Sequence, residues 1–557
     1  MTNPNSNKGG EMSSSPRDVM TSGGEDDISR ESARGEDDIS RPTTGSRPKR
    51  STRALRRIGT TTSAVLLLAA AAGAVVAGQY YAPADATAVP APLVDVPAGP
   101  VTVVCAGPPT PTSGHGMAVD PTLGQADVTP TTRTELLTLP RGDAPAAEAA
   151  YIPLGGASQE LQPAGDSRVL RTDATGSAIV QAQPAGETSA LLAGATLART
   201  TGGDLRGLSA TACQTPATTT WLVGGATEPG ASAQLVLTNP GRTPATVNVT
   251  AWTSLGVAQA PLLTGIVIAP GAQTAVLLEG ALTGDPRLAL RVDAAGGEVT
   301  AAVQDLRLKG FVPAGVDVVA PATAPALALT IPGVLLGETN LDDAATSAVR
   351  LVNPGEEVAT AKVRLLGPDG ATELPGAEAV ALDPGVVLDL SLAGIAPGAY
   401  AVSIEADRPV TGAVVLARTG TPGELDPDVA PVDRAWTAAA EPRTTGILPV
   451  PALGELVETA TVTLSNPAEV PVDVELVPTT RAGARGEPVT VTVPAEATVA
   501  TPVGDLGGAV AAVQLSAADG VVAAVVLTVQ APDGELISVL PTVADPHAER
   551  AVRVDVR

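Results

Sequence analysis

Three stretches of this chain repeat the same short phrase, and that repeat constrains the fold more than any other feature. Ala233-Gln-Leu-Val-Leu-Thr-Asn-Pro-Gly241 returns as Ala348-Val-Arg-Leu-Val-Asn-Pro-Gly355 and as Ala460-Thr-Val-Thr-Leu-Ser-Asn-Pro-Ala468. The Asn-Pro pairs begin at 239, 353 and 466, a period of about 113 residues, long enough for one supersecondary module per copy. In each copy an alternating stretch follows: Ala245–Trp252, Ala361–Leu366 and Val472–Val477. A second alternating stretch ends at a proline turn, in Ile266–Gly271, Val380–Gly385 and Val491–Ala495. Two further strands close each copy: Leu288–Asp293 with Val299–Val303, Ala401–Ile404 with Thr411–Leu416, and Ala511–Leu515 with Val522–Leu527. The exits Gly423-Glu-Leu425 and Gly534-Glu-Leu536 also match.

Alternation with a period of two gives a strand one apolar and one polar face, so each copy needs a second sheet to cover the first. Proline ends a strand because it lacks the ladder donor, and asparagine tolerates the turn. Pro368-Asp-Gly370 and Pro532-Asp-Gly534 read as hairpin turns. Short strands with frequent turns predict tandem immunoglobulin-like antiparallel β-sandwiches over 214–308, 326–425 and 443–542. The apolar residues, 44% of the chain, are mostly Ala, Val and Leu, so such cores are built from small aliphatics. Residues 101–213 read as a less regular β-rich region, with strand candidates at Val101–Cys105, Ser167–Leu170 and Ser177–Ala182. Residues 543–557 read as a C-terminal tail.

The segment upstream is of another kind. Residues 1–57 are polar and poor in aliphatics, and composition predicts a disordered tail. Gly-Glu-Asp-Asp-Ile-Ser-Arg occurs at 24–30 and again at 35–41. It reads as a slipped repeat in a solvated tail, or as a linear motif with Ser29 and Ser40 open to a kinase. Ile58–Tyr81 carries no charge and, as a helix, spans about 36 Å against a hydrocarbon core of roughly 30 Å. Arg47, Lys49, Arg50, Arg53, Arg56 and Arg57 precede it. The positive-inside rule then predicts a single-pass helix with a cytoplasmic tail and an extracytoplasmic bulk. The competing reading is a signal peptide cleaved at Ala84-Asp-Ala86 or Ala86-Thr-Ala88, which makes the protein secreted. Residues 82–100, rich in Ala and Pro, form a spacer.

Net charge is −25, and residues 1–81 hold 11 basic against 9 acidic side chains, so the acidity lies downstream. An acidic exterior repels phosphate backbones and argues against nucleic acid. Cys105 and Cys213 both follow the apolar segment, and an even count outside the membrane predicts one disulfide. Closing a loop of about 108 residues is worth roughly 4–5 kcal/mol in the chain-entropy model.

Chemistry-bearing patterns are scarce. The two histidines are His115, in the glycine-flanked loop Ser113-Gly-His-Gly116, and His547 near the C-terminus. The sequence holds no nucleophile elbow, zinc motif, phosphate loop or dinucleotide fingerprint. Asp342-Asp343 reads as a solvated acidic turn rather than a cation site. We therefore expect no catalytic, cofactor or metal residues. Trp221 and Trp252 fall at core positions, whereas Trp436, placed in a connecting segment, and His115 are the candidate ligand contacts.

The segment Val104-Cys-Ala-Gly-Pro108, the pair Ala212-Cys-Gln-Thr-Pro216 and Trp221-Leu-Val-Gly-Gly225, and the strand Leu235-Val-Leu-Thr-Asn-Pro240 follow a membrane segment and a polar tail. Together they resemble a family of uncharacterised actinobacterial envelope proteins, domain of unknown function 5719, over most of residues 100–542. The resemblance implies location and architecture and brings no activity with it. The expectation is a non-enzymatic, membrane-anchored extracytoplasmic protein acting as an envelope scaffold or adhesion stalk toward other envelope proteins. The alternative is an accessory module that binds glycan or cell-wall polymer for an envelope-assembly enzyme.

Overall fold

The computed structural model describes residues 66–73, 93–110, 128–142, 144–339, 345–423, 426–546 and 551–553. The chain divides into two compact units, Met1–Pro90 and Ala91–Arg557. In the first, residues 66–73 form an α-helix on which Leu66, Leu67 and Leu68 are exposed. No helix among the described residues is long and apolar enough to cross a membrane. The rest of Ile58–Tyr81, the basic cluster before it and the duplicated heptapeptide lie outside the described residues.

The second unit is built from antiparallel sheets, and the repeat explains their plan. In the first repeat one sheet has the order Ala272–Leu277, Ala231–Asn239, Thr300–Lys309, Val312–Val319. The facing sheet runs Gly256–Val257, Ala245–Thr253, Leu288–Ala295, Thr219–Val223. Alternation works as the sequence implies: Val247, Val249 and Ala251 turn into the core that Leu235, Leu237 and Val303 supply from the other sheet. The second and third repeats have the same order.

That order is not the immunoglobulin one. There the strand that pairs with the third strand is followed by a neighbour in its own sheet. Here Leu288–Ala295 and Thr300–Lys309 belong to different sheets. In the later repeats the equivalent pair is a single 22-residue strand, Gly398–Thr419 or Val510–Ala531, whose two halves pair in opposite sheets. A strand that passes from sheet to sheet has no hairpin to return it, so period-two alternation alone did not distinguish the two topologies.

The described residues of 101–213 are more regular than their sequence suggests. They repeat the same order, with Ser167–Thr172, Thr131–Leu139, Leu191–Thr200 and Gly207–Ala212 in one sheet. The facing sheet holds Gln159–Glu160, Ala149–Pro153, Ala178–Ala182 and Val101–Cys105. The described residues thus form four modules rather than three, and Leu137-Thr138-Leu139-Pro140 stands where the first repeat has Leu237-Thr238-Asn239-Pro240. The pair Leu93–Asp95 with Ala551–Arg553 joins segments that read as spacer and tail.

The repeated asparagine has a specific task. Asn239 is fully buried; its Nδ2 donates to the carbonyls of Thr243 and Ile268 at 2.8 and 3.1 Å, while its Oδ1 accepts the Gly241 N–H at 2.9 Å. Asn353 bonds Glu357, Leu382 and Gly355 in the same way, and Asn466 bonds Val470, Val493 and Ala468. One amide therefore closes its own turn and pins the next strand edge, satisfying backbone groups that the proline leaves without partners. In the first module, where leucine replaces it, the Thr138 hydroxyl donates to the Ala147 carbonyl at 2.6 Å.

The modules are not beads on a line. Val352, Val387, Ala413 and Val415 of the second repeat belong to the core of the first repeat. Ala524, Val526, Ile537 and Val539 of the third pack into the core of the second. Leu197, Leu208 and Ala210 of the first module share the core of the third repeat. Leu205 with Leu306 and Val316 closes the cycle between the first module and the first repeat.

Candidate functional site

At the meeting point of the modules lie four strands, the last of each: Gly207–Ala212, Val312–Val319, Val432–Ala438 and Gly534–Pro541. Each packs against the next around the cycle. Two of them, 312–319 and 432–438, fall where the sequence reads as connecting segments. Sheet edges carry unpaired N–H groups that must find acceptors when buried. Here side chains supply them. Asp433 Oδ2 accepts the Ile537 N–H at 2.7 Å and the Leu208 N–H at 3.4 Å, so one carboxyl joins three modules. Asp317 Oδ2 accepts the Trp436 N–H at 2.6 Å, and the Ser538 hydroxyl accepts the Ala210 N–H at 2.9 Å. Gly207 permits this approach, because a Cβ there would lie 2.6 Å from Asp433 Oδ1 and 2.7 Å from Val316 Cγ1.

The hub is acidic at its centre. Asp305 and Asp317 are directly opposed on neighbouring strands and both are buried. Burial pushes the Asp317 carboxyl well above its usual range, and the nearby Asp433 and Asp305 add to the shift. Burial also pushes Asp433 up to about 7, against the pull of backbone donors and the Arg206 guanidinium. The upward shift of Asp317 lessens the like-charge repulsion that its position across from Asp305 creates.

Buried arginines surround this centre and fasten the modules. Arg206 forms a two-pronged pair with Asp533 at 2.6 and 2.8 Å. Arg350 pairs with Asp389 at 2.8 and 2.9 Å and donates to the carbonyls of Gly225 and Pro286 across the module boundary. Arg418 pairs with Glu535 at 2.7 Å. Bidentate geometry suits arginine at such desolvated junctions.

Trp436 is part of this hub rather than an exposed platform. It is 3% exposed, its Nε1 donates to Asp305 Oδ2 at 2.9 Å, and the Arg350 guanidinium lies 5.0 Å from the ring centroid. The neighbouring Asp433 and Arg434 make the segment look solvated in sequence, although it is an interior strand. Trp221 and Trp252 stack in the first-repeat core with centroids 5.0 Å apart. His115, His547 and Asp342-Asp343 lie outside the described residues. Cys105 and Cys213 form the expected disulfide. It ties the two sheets of the first module together, beside reciprocal 2.8 Å hydrogen bonds between Val104 and Gln214. Among the described residues no group of three or more His, Cys, Asp or Glu side chains is placed to hold a metal ion.

Beside the hub opens a cleft of about 550 Å³, between the first and second repeats, with Glu535 of the third on its wall. That size lies within the usual range for small-ligand sites. Arg307, Lys309, Arg418 and Arg434 line it, together with the carboxylates Glu228, Glu338, Asp428 and Glu535. Burial and the Arg307 guanidinium beside it pull Arg434 down to about 10. No motif announced these residues, but a signal was present: Leu-Ala-Arg-Thr occurs at both 197–200 and 416–419, and Arg307 stands at the matching end of its strand.

These features define a four-module antiparallel β-protein closed on a polar hub, with a cleft of mixed charge at its side. The chain belongs to the family of unknown function DUF5719, whose model matches residues 169–504, from the first module into the third repeat. Neither the curated proteins nor the solved structures contain a match.

Proposed function

We propose that the protein is a non-enzymatic scaffold of the cell envelope, held outside the membrane by Ile58–Tyr81, and that it presents one rigid body rather than an extended stalk. The observation that carries this reading is the hub, in which Asp433 accepts N–H groups from both the first module and the third repeat. Shared cores at the module boundaries make independent motion of the modules costly. The Cys105–Cys213 disulfide supports an oxidising compartment outside the cytosol. Three adjacent exposed leucines on the helix at 66–73 support an apolar environment for that segment. Protease treatment of intact cells tests the placement: the body after residue 91 is cleaved from outside while the tail is spared, and protection of the body refutes it.

A second reading, an accessory module that binds glycan or cell-wall polymer, is favoured by the cleft alone. Its lining mixes cationic, carboxylate and hydroxyl side chains in a space sized for one or two sugar rings.

A further inference from the structure

The cleft's cations are not evenly compensated. Arg418 has Glu535, and Arg307 has Asp305 at 3.4 Å. Arg434 donates its Nε to the Ala314 carbonyl at 2.8 Å, and among the described residues no carboxylate pairs with its terminal nitrogens. Lys309, at the exposed end of its strand, has no ion-pair partner among the described residues. The acids nearest Arg434 are committed elsewhere. Asp305 serves Trp436 and Arg307, and Asp389 is held two-pronged by Arg350. Asp433 and Asp317 lie deeper in the hub, where burial shifts both carboxyls toward the neutral form.

A partly buried guanidinium with free donors and a second arginine nearby is an incomplete arrangement in an otherwise acidic protein. The missing partner is an oxyanion whose oxygens match the guanidinium fork. Glu228, Glu338 and Asp428 line the same cleft, the last two as exposed side chains, and Thr339 and Thr419 add hydroxyl-bearing side chains. Carboxylates and hydroxyls of this kind accept from or donate to sugar hydroxyls.

We propose that the cleft between the first and second repeats binds a sugar bearing an oxyanion, with Arg434 gripping the oxyanion and Lys309 supporting it from the rim. This rests on the ligand-binding reading and sharpens it to an anionic sugar. Phosphate and carboxylate share the chemistry, so both are used as probes.

Isothermal titration of the full chain at low salt with glucose 6-phosphate, glucuronate and glucose tests it. One or both charged sugars bind, and glucose binds at least about tenfold more weakly. Arg434→Gln lowers the affinity for the charged sugar about tenfold or more, and Arg434→Lys restores part of it. Lys309→Ala, at an exposed site away from the hub, weakens binding severalfold with the unfolding midpoint unchanged. Equal binding of glucose and the charged sugars, or unchanged affinity in both Arg434→Gln and Lys309→Ala, overturns the oxyanion site while leaving a neutral-glycan reading standing. Absence of binding by all three sugars overturns both.

Discussion

The carboxyl of Asp433 accepts the backbone N–H of Ile537 at 2.7 Å, and through that bond the second repeat is joined to the third at the hub. The contact gives a buried acid a structural task, since it satisfies the inner edge of another module's sheet.

The same bond makes stability depend on pH. With Asp433 raised to about 7, the folded state holds a proton that the unfolded chain releases near pH 4. The contribution is therefore most favourable below pH 4 and is lost as pH rises toward 7. Arg206, Asp317 and Arg434 face the same centre. Asp433→Asn keeps an acceptor for Ile537 and cannot ionise. Denaturation midpoints measured from pH 5 to 8 should show the variant gaining on the parent as pH rises, and parallel profiles would contradict this.

The asparagine turns give an ordered series. Asn353→Leu copies what Leu139 does in the first module and loses the amide bonds at a cost of about 1–3 kcal/mol. Asn353→Asp places an acceptor against the Glu357 and Leu382 carbonyls in a fully buried site and is the more damaging change. Urea unfolding of both variants checks the order.

All three tryptophans are buried, at 7%, 3% and 3% exposure for Trp221, Trp252 and Trp436. The native protein should emit at short wavelength and resist acrylamide quenching. Trp436→Phe removes the donor to Asp305 and should destabilise by about 1–3 kcal/mol. A quenchable Trp436 would return it to the surface.

Reduction of Cys105–Cys213 opens a link spanning 108 residues. In the chain-entropy model it lowers stability by about 4–5 kcal/mol. Urea unfolding with and without dithiothreitol measures the difference.

Strands that face water on one side were legible in the sequence, because Ala245–Thr253 and Val472–Thr480 alternate as half-buried strands must. The disulfide was legible from cysteine count and position. The first module was not, because Leu139 replaces the asparagine that marks the other copies. Nor were the inner strands. Val312–Val319 is buried along most of its length and loses alternation, while Val432–Ala438 carries Asp433 and Arg434 into the interior, where charge normally signals solvent. The cleft was hidden for a related reason: its cations come from two modules more than a hundred residues apart, and only the closure of the modules brings Arg307 near Arg434.

The four modules fold as one closed body. Differential scanning calorimetry of the full chain measures whether they unfold together. A single transition, with calorimetric and van't Hoff enthalpies in agreement, is what shared cores and a common hub predict. Three or four separable transitions would show modules that unfold independently, and would contradict it.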